Sequence, residues 1–112
     1  MATRLPRYDE AILDIRKIED YCLSPIHPRG RHKARVFRDT LGLQQGDAPW
    51  LRRVLLEAAR SAEAFRLVED AWGTHWRLDV TIRRQNRTAV VRTLWIVRTD
   101  EIFPRFVTCW VL

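Results

Sequence analysis

The stretch that decides the fold is Trp76-Arg77-Leu78-Asp79-Val80-Thr81-Ile82-Arg83. Large apolar residues alternate in it with charged or hydroxyl-bearing residues. This period of two predicts a β-strand that buries one face and presents the other face to water. Antiparallel sheets commonly have one face on the core and one face solvated, so the stretch predicts a sheet of this kind.

Further strands are predicted around this one. Gln85-Asn86-Arg87 has the composition of a hairpin tip, because Asn86 tolerates a left-handed backbone conformation. Gly73 predicts a turn before the central strand, and Pro104 interrupts the loop that precedes the last strand. The predicted strands cover residues 65–71, 76–83, 88–98 and 105–111. Strands that follow one another in this way predict a four-stranded antiparallel meander.

The chain before residue 64 has its apolar residues at helical spacing. Helices are predicted at about 14–23 with Asp14 as N-cap, at about 31–41 followed by Gly42, and at 49–62 with Pro49 in the first turn. The predicted fold class is therefore α+β, with two to three N-terminal helices packed on one face of the four-stranded antiparallel β-sheet.

The length of 112 residues predicts one domain with one hydrophobic core. Residues 1–10 are predicted to form an irregular N-terminal arm, and residues 11–112 a single α+β domain. Cys22 and Cys109 have neither metal-binding nor redox spacing, which favours burial as small apolar residues. No apolar run approaches the ~20 residues of a membrane span, and the chain begins without the apolar segment of a signal peptide. We expect a cytoplasmic protein with no membrane contact and no cofactor.

The charge balance favours an anionic partner. The net charge is +6 and the pI is about 10.3, and nucleic acid is the commonest partner of such a chain. Lys17 and Lys33 are lysines, and the other basic residues are arginines. The planar fork of arginine suits phosphate recognition. A GC-rich genome would produce the same bias without a functional cause, and the composition leaves both explanations open.

The most basic stretch is His27-Pro28-Arg29-Gly30-Arg31-His32-Lys33-Ala34-Arg35, and the chain between Tyr21 and Arg38 contains no carboxylate. Such a cluster repels itself unless an anion lies in front of it. Gly30 is predicted to let backbone N–H groups approach this anion, and the helix that begins at Arg31 adds its positive end. The alternative is a solvated basic turn.

Candidate catalytic residues come from this basic stretch. His27 and His32 are candidates for a general base and a general acid, since imidazole titrates near neutral pH. Either histidine has a structural role as its alternative. Lys33 should border the packed face of its helix, where it either places its charge over the sheet or extends past an apolar edge into water. No metal site is predicted, because the histidines lack neighbouring acidic ligands.

A second basic zone is predicted on the sheet, where arginines alternate with tryptophans as in many RNA-binding surfaces. The alternative there is a solvated hairpin with Trp76 and Trp95 in the core. In the last strand, alternation puts Arg105, Val107 and Cys109 on one face and Phe106, Thr108 and Trp110 on the other. Thr108 is either an ordinary strand residue or the donor of a hydroxyl to a cleft. The predicted nucleic-acid contacts are Arg29, Arg35, Arg83, Arg92, Trp95 and Arg105.

The chain resembles a bacterial family of small domains of unknown function. The resemblance extends over about residues 12–112 and is carried by Gly30-Arg31-His32-Lys33-Ala34, Phe37, Trp72-Gly73, Thr93-Leu94-Trp95 and Phe106-Val107-Thr108. The family is similar to the effector half of small bacterial toxin–antitoxin-like modules, some of which have a small partner protein encoded beside the effector. The resemblance implies RNA and a small acidic antitoxin-like protein as partners.

The predicted layout also resembles the barnase/EndoU/RelE-like ribonuclease superfold, whose members cleave RNA without a metal. That resemblance implies His27 or His32 as base or acid, Arg31 and Lys33 as groups that stabilise charge on phosphorus, and Thr108 as a phosphate contact. The chain departs from the pattern in having no evident carboxylate base.

Three hypotheses follow from the sequence. The first is a toxin-like metal-independent endoribonuclease that uses the basic His/Arg/Lys site. The alternative is a non-catalytic module that binds nucleic acid or a partner protein through the same surface. The third is a structural domain that forms a homodimer through exposed tryptophans.

Overall fold

A central hairpin organises the structure, a computed structural model that describes residues 3–112. Strands β2 (Gly73–Arg84) and β3 (Arg87–Arg98) form this hairpin and pair along their whole length. Strand β1 (Ala64–Asp70) lies beside β2, and β4 (Pro104–Val111) lies beside β3. The strand order is β1-β2-β3-β4 and all pairs are antiparallel, so the predicted four-stranded meander is confirmed.

Two α-helices precede the sheet. Helix α1 (Arg31–Leu41) ends at Gly42, whose φ of +66° provides the left-handed C-cap that the sequence predicted. The guanidinium of Arg84 donates to the Gly42 carbonyl at 3.0 Å, which places a positive charge at the negative end of α1. Helix α2 (Ala48–Ser61) has Pro49 in its first turn, as predicted. The α+β fold class is therefore confirmed.

The first helical segment of the structure is shorter than the helix predicted at 14–23. It is a π-helical segment at Ile18–Cys22, in which Ile18 and Cys22 are buried. Asp14 lies before it and accepts a hydrogen bond from the Arg16 backbone N–H at 3.0 Å. Helical periodicity indicated the apolar face here, but a π-helical turn has no propensity signal that distinguishes it from an α-helix.

The helices cover one face of the sheet. Alternate residues of β2 (Trp76, Leu78, Val80 and Ile82) are buried beneath them, as the alternation predicted. Helix α1 packs against β3 and β4, and helix α2 packs against β2. The N-terminal arm also joins this core through Leu5, which is 1% exposed. In the described range 3–112, no helix has the length and apolar character required to cross a membrane.

Strand β4 contains a bulge, and the strict alternation predicted for its side chains is therefore wrong. Trp95 pairs with Phe106 while the preceding Leu94 pairs with Thr108, so one residue of β4 is extra. As a result Phe106 and Cys109 are both buried in the core, whereas strict alternation placed them on opposite faces. The bulge also lies directly before Thr108, one of the two β4 residues that reach the candidate site.

Candidate functional site

The candidate site is built around the side-chain ammonium group of Lys33, in the first turn of α1. Its Nζ donates to Thr108 Oγ1 at 3.2 Å and to the Tyr21 hydroxyl at 3.4 Å. The same nitrogen lies 4.8 Å from the centroid of the Tyr21 ring and 5.2 Å from that of the Trp110 ring. Both distances fall within the range of cation–π attraction. We call Tyr21, Lys33, Thr108 and Trp110 the Lys33 cluster.

Three separate elements supply this cluster. Tyr21 comes from the π-helical segment, Lys33 from α1, and Thr108 and Trp110 from β4. Lys33 is only partly exposed and extends from the edge of the helix toward the sheet. Of the two sequence-based alternatives for Lys33, the structure confirms the one that places its charge over the sheet.

Lys33 has no acidic partner among residues 3–112, where every ion pair involves an arginine or His75. Hydroxyl oxygens and aromatic faces attract the ammonium group but leave its charge uncompensated. A partly buried charge of this kind favours an anion that approaches from the open side.

His27 fixes the loop before α1. Its Nδ1 accepts hydrogen bonds from the backbone N–H groups of Arg29 and Gly30, each at 3.0 Å. Because Nδ1 is an acceptor, the neutral ring carries its proton on Nε2. The ring also packs edge-on against Tyr21, with centroids 4.7 Å apart. This geometry favours the structural alternative for His27, a positioning residue, while its assignment as a catalytic base or acid stays a prediction.

Gly30 has a different role from the one the sequence predicted. The N–H groups of Arg29 and Gly30 bind the His27 ring, and that of Arg31 binds the His27 carbonyl at 2.9 Å. These N–H groups therefore do not face a ligand. A Cβ atom on Gly30 would overlap the backbone carbonyl of Tyr21. Glycine is needed here because the loop and the π-helical segment approach each other closely.

His32 is exposed and makes no side-chain hydrogen bond within the described part of the chain. It lies between two grooves, one on each side of α1. The Trp110 groove has a volume of about 420 Å³ and is lined by His32, Lys33, Val36, Trp110 and Val111. The other, which we call the basic groove, has a volume of about 510 Å³. His32 is thus the predicted histidine that remains free for proton transfer.

The basic groove runs along α1. Arg31, Arg35 and Arg38 line it from the helix, and Gln44 and Gln45 line it from the loop after the helix. Its apolar lining includes Leu23, Ala34 and Leu43, which are buried. The groove therefore combines guanidinium groups with apolar surface, and it contains the predicted site residues Arg31 and Arg35.

Two predicted nucleic-acid contacts are held by carboxylates on the sheet. Arg92 forms a bidentate pair with Asp79 at 2.9 and 3.0 Å, and Arg105 forms one with Glu101 at 2.7 Å for both contacts. The guanidinium hydrogen bonds lower the pKa of the Asp79 and Glu101 carboxyls. These pairs use the Nε–Nη2 edge of each guanidinium and offset its positive charge, so Arg92 and Arg105 are weaker candidates for phosphate contacts than the arginines without an ion pair.

Trp95 is a core residue rather than a stacking surface for a base. The side chain is 1% exposed, and its Nε1 donates to Thr93 Oγ1 at 2.8 Å. Thr93 in turn donates to the Leu78 carbonyl at 2.8 Å. The Thr-x-Trp motif is therefore explained by a buried hydrogen-bond chain between β2 and β3. Of the remaining predicted contacts, Arg29 and Arg83 are exposed.

Two cysteines lie behind the Lys33 cluster. Cys22 and Cys109 are free thiols and both are buried, as predicted. The Cys22 Sγ lies 3.7 Å from Thr108 Oγ1. A hydrogen bond from the Cys109 thiol, aided by Thr108 and by the Lys33 charge, lowers the pKa of Cys22 to about 6 against the effect of burial. The same contact and burial raise the pKa of Cys109.

Sequence reasoning missed Tyr21, Trp110 and Arg38 as site residues. Arg38 could have been found, because positions 31, 35 and 38 fall on one face of a helix. Tyr21 and Trp110 carry no such signal, since each meets Lys33 only through the tertiary packing of different elements. In residues 3–112, no three His, Cys, Asp or Glu side chains come together in a group that would hold a metal ion.

The fold and the cluster define a class of protein, a small α+β domain whose basic helix presents an ammonium group, without an acidic partner in residues 3–112, at the edge of an antiparallel sheet. Residues 4–112 match the family model of DUF6883, a domain of unknown function. The chain therefore belongs to this family, which confirms the predicted membership in a family of domains of unknown function. No match was found among curated proteins or among solved structures.

Proposed function

We propose that this protein is a toxin-like, metal-independent endoribonuclease whose site consists of the Lys33 cluster and His32. The observation that carries the proposal is the partly buried Lys33 ammonium group, which has hydroxyl and aromatic neighbours but no carboxylate among residues 3–112. A phosphodiester supplies the missing negative charge. Its negative charge becomes more concentrated as the transition state forms, and the preorganised Lys33 charge then stabilises it further.

The reaction uses the 2′-hydroxyl of the RNA as its nucleophile. His32 takes the proton of this hydroxyl, and the O2′–P bond forms as the P–O5′ bond breaks. The leaving O5′ receives a proton from water, which yields a 2′,3′-cyclic phosphate and a 5′-hydroxyl end. Lys33 and Arg31 stabilise charge on the phosphoryl oxygens, and Thr108 positions Lys33 through its hydroxyl. His27 keeps the loop and the Tyr21 ring in place.

Two further features support the proposal. Helices packed on one face of a four-stranded antiparallel meander agree with the layout that the resemblance to the barnase/EndoU/RelE-like superfold implies. The net charge of +6 suits RNA as substrate and a small acidic antitoxin-like protein as inhibitor. Such an inhibitor would cover the basic side of α1 and exclude RNA by competition.

One observation favours the alternative function, a module that binds nucleic acid without cleaving it. The imidazole of His27 is engaged by two backbone N–H groups, which leaves His32 as the histidine of the site without a hydrogen bond among residues 3–112. Binding through Lys33 and the arginines requires no proton transfer. The two functions therefore differ in their dependence on His32, because cleavage requires its imidazole and phosphate binding does not.

The deciding experiment is incubation of the purified protein with total RNA and tRNA in EDTA. The wild type should leave 2′,3′-cyclic phosphate ends. Lys33→Ala should lower the rate by ~10²–10³-fold, as removal of one oxyanion donor does. His32→Ala should lower it by ~10²–10⁴-fold, the usual contribution of general acid–base catalysis.

Matched controls come from the same chain. Lys17→Ala removes the other lysine, which is exposed, and His75→Ala removes a histidine that pairs with Asp70 on the sheet. Both controls should cleave like the wild type. Equal cleavage by Lys33→Ala and Lys17→Ala would show that the Lys33 cluster is not the active site. Absence of cleavage with salt-sensitive RNA binding intact would establish the non-catalytic alternative.

A further inference from the structure

We propose that the RNA taken by this site is unpaired and that two successive nucleotides lie in the two grooves on either side of His32. The inference rests on the proposed function, because it places the scissile phosphate between the grooves, next to His32 and Lys33. It adds the substrate class, single-stranded RNA, and a second binding subsite formed by the basic groove.

The basic groove has the side chains to hold the phosphates of one nucleotide. Arg31, Arg35 and Arg38 follow one another by four and three residues, so they form one row along α1. Within residues 3–112, Arg31 and Arg35 make no ion pair, while Arg38 contacts only its exposed neighbour Asp39, at 3.6 Å. Exposed pairs of this length hold a guanidinium weakly. The row is therefore available to an external phosphate.

The same groove has room and apolar surface for a base. Its volume of about 510 Å³ lies within the ~300–1,000 Å³ of small-molecule sites. Pro25, which is exposed, contributes apolar surface to its lining, and Leu23, Ala34 and Leu43 line it as buried residues. Gln45 lines the opposite side, and its Nε2 donates to the Glu19 carbonyl at 2.8 Å, which fixes the amide group in place. A groove with both guanidinium and apolar surface fits a nucleotide better than it fits a free phosphate ion.

The Trp110 groove offers a complementary surface for the neighbouring base. Trp110 is partly exposed there, and Val36 is 41% exposed beside it. Aromatic side chains stack on every base, because each base has a π-face. Lys33 borders this groove and lies 5.2 Å from the Trp110 ring centroid, so the ammonium group is next to the place where a stacked base would lie.

The position of His32 between the grooves excludes a duplex. An α-helix with its side chains is about 10–12 Å across, and two bases on opposite sides of α1 are separated by its width. Stacked bases in a duplex cannot separate in this way, and a duplex presents mainly its backbone and shallow groove to a protein. The bases of an unpaired strand can turn outward to opposite sides.

The test measures binding apart from cleavage. The probe is a 2′-O-methyl RNA hexamer, which has no free 2′-hydroxyl and so cannot be cleaved, alone or annealed to its complement. Fluorescence anisotropy should show at least tenfold tighter binding of the single strand. Trp110→Leu should lower this affinity without changing its salt dependence, since it keeps an apolar side chain but loses the ring face.

Arginine variants test the basic groove. In Arg35→Ala/Arg38→Ala the slope of log K against log salt should fall by about 1.4, because each phosphate contact on a single strand contributes ~0.7. Arg53→Ala/Arg98→Ala removes the same charge from exposed arginines outside both grooves and should leave the slope nearly unchanged. An equal loss in both variants would mean that binding follows net charge and not the groove.

The outcomes separate this inference from the proposed function. Tight binding of the unpaired hexamer without any RNA cleavage by the protein would support the binding of two nucleotides in the two grooves and rule out catalysis. Cleavage of RNA together with equal affinity for hexamer and duplex would retain catalysis and reject the two-groove arrangement. Binding of neither form, with capture of an acidic polypeptide such as poly-glutamate, would reject both.

Discussion

His27 shows how one side chain can hold a site together without reacting in it. Its Nδ1 accepts the N–H groups of Arg29 and Gly30, and its ring supports Tyr21, which in turn contacts Lys33. His27→Ala should lower the free energy of unfolding by ~1–3 kcal/mol, because the two donors lose their partner. His27→Asn should recover part of this loss, since its side-chain oxygen can accept the same hydrogen bonds. Urea unfolding measures both effects.

The pH–rate profile of RNA cleavage separates positioning from catalysis at this residue. His27→Asn should keep the shape of the wild-type profile, because the His32 imidazole is left in place. His32→Ala should lose the acidic limb of the profile, since this variant lacks the imidazole that takes the proton of the 2′-hydroxyl. Loss of the acidic limb in His27→Asn would instead make His27 a catalytic residue.

Cys22 links the Lys33 cluster to the stability of the fold. Its pKa of about 6 lies below the ordinary value of 9.0, so between these values the folded state binds fewer protons than the unfolded state. The free energy of unfolding should therefore rise as the pH increases from 6 to 9, and this contribution disappears as the pH falls through 6. Above pH 9 the raised pKa of Cys109 should reverse the trend.

Urea unfolding at several pH values tests this behaviour. Cys22→Ala should flatten the rise between pH 6 and pH 9, because it removes the group that titrates. The absorbance of the thiolate near 240 nm is a second measurement and should increase in the folded wild type over the lower part of this range. Identical pH slopes in wild type and Cys22→Ala would show that Cys22 remains a thiol.

At the scale of the elements, the contact between the basic loop and the π-helical segment depends on Gly30. Gly30→Ala should cost ~1–3 kcal/mol in the free energy of unfolding, because its Cβ would overlap the Tyr21 backbone and force one element to move. Gly46→Ala is the matched control, since no atom lies within 4 Å of its added Cβ. Its backbone φ is not positive, so this variant should be neutral or slightly stabilising.

Cleavage and stability should change together in Gly30→Ala. Displacement of the loop moves Tyr21 and α1 relative to each other, and the Lys33 ammonium group lies between them. Calorimetric unfolding and cleavage of tRNA measure the two effects. A Gly30→Ala protein that is as stable as Gly46→Ala and as active as the wild type would show that the loop does not approach the π-helical segment this closely.

The elements also show which features of the fold a sequence encodes locally. Alternation over 76–83 predicted β2 and its buried face, and Gly42 marked the end of α1, because these signals depend on a few neighbouring residues. The bulge in β4 escaped prediction, since its residues are ordinary strand formers and the extra residue is defined only by pairing with β3. Thr108 was predicted as a candidate from its place in the last strand, but its contact with Lys33 could not be predicted because it depends on how β4 and α1 pack together.

At the scale of the whole molecule, helix α1 presents a row of arginines along one groove, whereas two of the sheet's arginines are held in ion pairs. The sheet carries bidentate pairs of Arg92 with Asp79 and of Arg105 with Glu101, while Arg31 and Arg35 have no such partner in residues 3–112. The net charge of +6 alone therefore does not show which surface of the molecule binds anions. RNA should bind on the α1 side and not on Arg92 and Arg105 of the sheet.

A comparison of two double variants tests this distribution. Arg92→Gln/Arg105→Gln and Arg35→Ala/Arg38→Ala lower the net charge equally, but only the second removes arginines that face a groove. The sheet variant should bind the 2′-O-methyl RNA hexamer with nearly wild-type affinity and salt slope, although loss of the two ion pairs should lower its thermal stability.

Since long-range steering depends on total charge, the two variants should slow association by similar factors at low salt. They should differ in dissociation, which reports direct phosphate contacts. Equal dissociation rates in the two variants would place RNA on the sheet as well and remove α1 from its special position.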